Sequence, residues 1–129
     1  MATMLNNEVL INGQYDDIPF EPLASNTTLS IIDVSVVKTA DKAVWTGGDL
    51  TYTVSIINND ADLPLTNLVL TDTLDPLLVA FTEGSVEING TPAAAEDVSY
   101  DAISGLLTVQ VPDVAAGATT DITFQVTQK

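Results

Sequence analysis

Lys38, Asn58 and Asp72 are three side chains whose types and strand positions together could do covalent chemistry. Each continues an alternating run: Lys38 follows Val34 and Val36, Asn58 follows Val54 and Ile56, and Asp72 lies between Leu70 and Leu74. Alternate residues of a β-strand share a face, so all three are expected to point into one core. A lysine, an asparagine and a carboxylic acid meeting in apolar surroundings fit an intramolecular isopeptide bond. Burial disfavours the charged ammonium, leaving an amine that attacks the amide carbonyl while the acid protonates it and ammonia leaves. The chain would then weigh one ammonia, or one water, less than its sequence. The plainer alternative is that these residues stand where strands end and face solvent, with Asp72 bonding the backbone of a turn.

Acidic clusters are the second constellation: Asp16-Asp17, Asp60 with Asp62, Asp72 with Asp75, and Glu96-Asp97 with Asp101. Calcium takes several oxygen ligands, which loop carboxylates at one end of a sandwich could supply. There is no twelve-residue calcium loop, however, and spaced acids on so acidic a chain ordinarily form a solvated face. Calcium is therefore the weaker reading, and no cofactor or metal site is expected. Catalysis has little support. The chain has no His, Cys or Arg, Ser85 and Ser104 have no visible base, and paired carboxylates for sugar hydrolysis lack an aromatic-lined cleft. Trp45, beside the Gly47-Gly48 turn, is expected to anchor that loop over the sandwich end. No enzyme is read here.

The charge balance narrows the partners. Eighteen Asp and Glu face only Lys38, Lys42 and Lys129, a net charge of -15. Nucleic acid and anionic membrane surfaces would be repelled. No stretch approaches the roughly 20 apolar residues of a membrane span. Yet 46% of residues are hydrophobic and only 16% charged, so the chain is expected to fold as one domain with one core. Val, Ile, Leu and Thr dominate, which suits pleated strands. Residues 1–28 contain neither a basic leader nor a continuous apolar run, so no signal peptide is visible in the chain as given.

From Leu29 the sequence falls into short alternating runs separated by turn residues, the pattern of an all-β sandwich. Leu29–Lys38 is the first run, and Leu50–Ile56 the cleanest, with Leu50, Tyr52, Val54 and Ile56 opposed by Thr51, Thr53 and Ser55. Further runs cover Leu68–Leu74, Leu77–Phe81, Ser85–Ile88, Val98–Ala102, Leu106–Val111 and Ala118–Thr127. Asn89-Gly90 marks a tight hairpin. Seven to eight strands result, and Ala93–Glu96 allows at most one helical turn.

These segments carry a resemblance. VVKTADKAVWTGGDLTYTVSIINND, then TNLVLTDTL, FTEGSVEINGTP and VAAGATTDITFQVT, spanning about Ile32 to Val126, resemble the bacterial and archaeal surface repeat domain called domain of unknown function eleven. The resemblance implies an immunoglobulin-like β-sandwich, commonly strung in tandem in cell-wall or surface-layer proteins and sometimes found in spore appendages. It implies an extracellular place, on a cell or spore surface. One copy and a private N-terminal arm make a spacer in a long stalk the less expected role.

Residues 1–28 are read as that arm and its linker, ahead of a sandwich at 29–129. Leu5, Val9 and Ile11 share one parity and Asn12-Gly13 ends the run, so Met4–Ile11 is expected to form a single strand. A lone strand needs a partner, and an unpaired sheet edge is a template for one. Gly13–Thr28, with Pro19 and Pro22, is expected to be an extended tether reaching roughly 50 Å at about 3.3 Å per residue. Ile18, Phe20 and Leu23 would lock it against a groove. The function expected is a structural subunit that polymerises head-to-tail with itself by donating this strand. The alternative is an immunoglobulin-like adhesion or ligand-binding module.

Overall fold

A computed structural model of the chain describes residues 3–19, 21–31 and 33–129. Phe20, read as part of the arm's apolar set, and Ile32, read as the start of the first run, lie outside them. In chain order the strands are β1 (Thr3–Ile11), β2 (Gln14–Tyr15), β3 (Ile18–Pro19), β4 (Leu23–Ile31), β5 (Val34–Ala40), β6 (Asp49–Asn58), β7 (Leu68–Thr73), β8 (Val79–Phe81), β9 (Glu87–Ile88), β10 (Thr91–Pro92), β11 (Val98–Asp101), β12 (Leu106–Val111) and β13 (Thr119–Gln128). The single helical piece among the described residues is a 3-10 turn at Ala95–Asp97.

The fold is an all-β sandwich. One sheet runs β10-β9-β13-β6-β5, with β8 pairing farther along β13; the other runs β11-β12-β7. Every pairing in both sheets is antiparallel. Strict alternation builds the interior: Leu50, Val54 and Ile56 of β6, Ile122, Phe124 and Val126 of β13, and Leu107, Val109 and Val111 of β12 are buried. Fully burying such a side chain contributes roughly 1.5–3 kcal/mol, so these three central strands hold the two sheets together. The sandwich has one strand beyond the expected eight. It is β10, the short return of the Asn89-Gly90 hairpin, where both residues take positive φ (51° and 80°) as a two-residue turn requires. Asn89 also ties that hairpin down by exchanging bonds with Asp121, its Oδ1 accepting from the Asp121 N–H at 2.9 Å.

The arm differs from the expected single strand and extended tether. β1 pairs along its whole length with β4, from Thr3 opposite Ile31 to Ile11 opposite Leu23. β2 and β3 close the tip around Asp16-Asp17. The arm is thus a self-paired hairpin made of two small sheets, β1-β4 and β2-β3, separate from both sandwich sheets. Its last strand runs past the expected boundary at residue 28, and the run read as Leu29–Lys38 is two strands, β4 and β5. The physical reason lies in the turn: Asp16 and Asp17 both adopt left-handed φ (53° and 63°), a conformation that Asp reaches more readily than most residues. Without a glycine the Asp-Asp pair gave no strong hairpin signal.

Candidate functional site

The two lateral seams of the sandwich are unlike. On one side, Phe81 of β8 and Tyr100 of β11 pack in a tilted pair across the gap between the sheets with ring centroids 5.0 Å apart. On the other, β5 and β7 stand at the edges of their sheets, each bonded to only one neighbour among the described residues. Between them lies an open groove of about 570 Å³, lined chiefly by Val34, Val36, Ile56, Leu68, Leu70 and Val111. Val36, on the parity expected to be buried, is 66% exposed. An edge strand facing an unfilled groove leaves its inner residues in water.

Lys38 and Asp72 meet at this seam. The Lys38 ammonium donates to Asp72 Oδ2 at 2.5 Å and lies 4.4 Å from the centre of the Tyr52 ring. The contact joins the two sheets. The Lys38 side chain is nevertheless 41% exposed, so water reaches the amine, and a hydrated pair of this kind contributes at most about 1 kcal/mol.

Asn58 is not part of that meeting, which corrects the expected three-residue constellation. In the β5–β6 register Lys38 stands opposite Val54, and Asn58 stands opposite Val34. Four residues along a strand separate the two, roughly 13 Å. Asn58 is buried, and its side-chain N–H groups donate to the carbonyls of Leu63 at 2.9 Å, Ala115 at 3.2 Å and Val114 at 3.3 Å. Its Oδ1 accepts from the Asp60 N–H at 3.1 Å. This amide pins loops at the end of the sandwich and is held away from the amine it was expected to acylate.

Three members of the acidic clusters, Asp60, Asp75 and Asp101, form turns. Asp60 Oδ1 accepts the N–H groups of Asp62 and Leu63, Asp75 Oδ1 that of Leu77, and Asp101 Oδ1 those of Ile103 and Ser104. Among the described residues no three acidic side chains gather in a way that could hold a metal ion. Asp72, the one acid read as a turn cap, instead pairs with Lys38. Trp45 anchors its loop by donating Nε1–H to the Gly48 carbonyl at 3.1 Å while packing on the core.

Two carboxylates, one of them in these clusters, are held low by backbone N–H groups. The Thr51 backbone N–H holds Asp41 below the usual carboxylate range, with a smaller contribution from Lys42. The Ile103 N–H does the same for Asp101, helped by Ser104. A depressed folded-state pKa gives stability that is present above the unfolded value and lost as pH falls through the folded one. Carboxyl NMR titration is therefore expected to place both midpoints below about 3.9; a midpoint at or above that value would mean the turn bonds do not persist in solution.

Of the arm residues, Leu5, Val9 and Ile11 are 51%, 55% and 57% exposed and Ile18 is 68% exposed. Leu23 begins β4 opposite Ile11. Of the groove lining, Leu65 lies outside every run expected from the sequence, and Leu68 and Val111 entered only as ends of the runs Leu68–Leu74 and Leu106–Val111. The signal for them was the brevity of the second sheet, whose three strands cannot cover the inner face of the wider first one. Comparison with protein-family models, with curated proteins and with solved structures finds no significant match in any of the three.

Proposed function

We propose that the protein is a structural subunit that assembles head-to-tail, the N-terminal hairpin of one copy docking on the sandwich of the next. The observation that carries this reading is the hairpin itself, two small sheets with Leu5, Val9, Leu10, Ile11 and Ile18 all more than half exposed. An isolated two-stranded hairpin is marginal in water. Docking supplies the burial that self-pairing does not. A contact between unlike surfaces propagates along a filament unless its rotation closes a ring. The resemblance to immunoglobulin-like surface repeats supports a place on the outside of a cell or spore. The charge of -15 keeps undocked subunits apart.

Removing residues 1–31 tests this. Oligomers in size-exclusion chromatography and fibres in negative-stain electron microscopy are expected to disappear, while the remaining sandwich still melts cooperatively. Fibres that survive the deletion would end the proposal, and a monomeric full-length protein would favour the adhesion-module alternative.

A further inference from the structure

We infer that the acceptor is the open seam between β5 and β7, and that strand β1 of a second copy adds to the unpaired edge of β5. This rests on the assembly reading above and names its receiving site. Four observations converge on it.

The first is backbone supply and demand. β5 bonds only β6, and β1 bonds only β4, among the described residues. Each therefore has a second edge to which no strand is bonded among the described residues, on a strand of seven residues for β5 and nine for β1. Joining them gives a continuous ladder β4-β1-β5-β6, which is strand addition to an open edge. The second is the groove. An added β1 that turns the Leu5, Val9 and Ile11 face inward lays it over Val34, Val36, Leu68 and Leu70, the apolar lining left open there. The opposite seam, bridged by Phe81 and Tyr100, leaves only a smaller cavity of about 300 Å³, with Glu83 in its lining.

Charge is the third. Lys38 lies on β5 and Lys42 just beyond it, two of the three lysines in the chain, whereas residues 3–31 carry Glu8, Asp16, Asp17 and Glu21 and no lysine or arginine. Lys38 and Lys42 pair with Asp72 and Asp41 and so neutralise two acids beside this edge, which lowers the repulsion that an acidic arm meets there. The fourth is connectivity. Only two residues separate β4 from β5. For a chain to place its own β1 between them, that link must cross two strand spacings, roughly 10 Å, nearly fully stretched. It would also leave β1 parallel to β5. A neighbouring copy has neither constraint. Of the exposed apolar side chains away from the arm and this seam, Val44, Leu63, Leu77, Leu78 and Ile103 lie outside the strands and offer no ladder, and Leu106 opens β12, which is bonded on both sides.

Two full-length variants separate this inference from the assembly reading. Val36→Asp places a charge in the groove, and Val9→Asp places one on the arm; both positions are more than half exposed in the subunit, so melting curves should match the parent. Each variant alone is expected to run as a monomer. Mixed, they should form a dimer and stop, because the Val36→Asp chain still donates and the Val9→Asp chain still accepts. If Val36→Asp assembles like the parent while Val9→Asp does not, the arm is a donor but this seam is not the acceptor, and the inference falls alone. If both assemble normally, the assembly reading falls with it. Should Val36→Asp melt early, the absence of native cysteine gives a second route. Full-length Val36→Cys mixed with Leu5→Cys, Val9→Cys or Ile11→Cys is expected to form a disulfide-linked heterodimer with at least one of them. Assembly without any such cross-link would overturn the inference.

Discussion

Gly105→Ala is expected to destabilise the sandwich by at least about 3 kcal/mol, a loss that most single substitutions do not approach. Gly105 lies between β11 and β12 with φ +76°, and a Cβ built there would stand 1.9 Å from the Leu74 carbonyl oxygen and 3.2 Å from the Pro76 ring. The obstacle is backbone, so no rotamer change relieves it. Moving the turn away breaks the Leu74 N–H bond to the Gly105 carbonyl at 2.8 Å and strains the Gly105 N–H bond to Asp101 at 2.7 Å. It also loosens buried Leu74 and Leu107, which seat the second sheet on the first. Gly84→Ala is the control. Gly84 has nearly the same φ, +74°, with nothing within 4 Å of a Cβ, so only the left-handed strain of about 1–2 kcal/mol applies. Urea midpoints for the two variants separate the contributions. Equal shifts would mean that the close approach to Leu74 is absent in solution.

Strand addition at β5 would also explain which parts of this protein are legible in its sequence. β6 and β13 read clearly because each is central, and the burial of Leu50, Val54, Ile56, Ile122, Phe124 and Val126 writes a period of two. β5 writes the same period, yet its Val36 and Val37 are exposed. Alternation alone does not distinguish a face covered by its own chain from one waiting to be covered. The isopeptide constellation failed for a related reason. Parity assigns Lys38, Asn58 and Asp72 to inward faces, which is roughly where they lie, but parity is silent about distance along the strand, and register places Lys38 and Asn58 four residues apart. The arm was legible as something outside the sandwich. Its hairpin was not, because Asp16-Asp17 lacks the glycine that usually announces a turn of that type.

Asn58→Asp is expected to be the second severe substitution, and its cost should depend on pH in a direction that Asn58→Ala does not share. The amide donates to three backbone carbonyls and is 1% exposed. A carboxylate there loses both donors, faces the same three carbonyl oxygens, and retains only the Asp60 N–H as a partner. An uncompensated buried charge costs about 3–5 kcal/mol. Protonation relieves part of that, so the introduced carboxyl has a folded-state pKa raised above its unfolded value of about 3.9. The folded variant then binds more protons than the unfolded one, and its stability is greatest below that value and falls as pH rises through the raised folded pKa. Asn58→Ala strands the same carbonyls without adding a titrating group, at about 1–3 kcal/mol for each buried group left unsatisfied. Subtracting its stability from that of Asn58→Asp at each pH removes the background set by the net charge of -15. The difference should grow against the aspartate from pH 4 to pH 7. A flat difference would place the side chain in water and remove Asn58 from its role as the pin between the end of β6 and the loops at Leu63 and Val114.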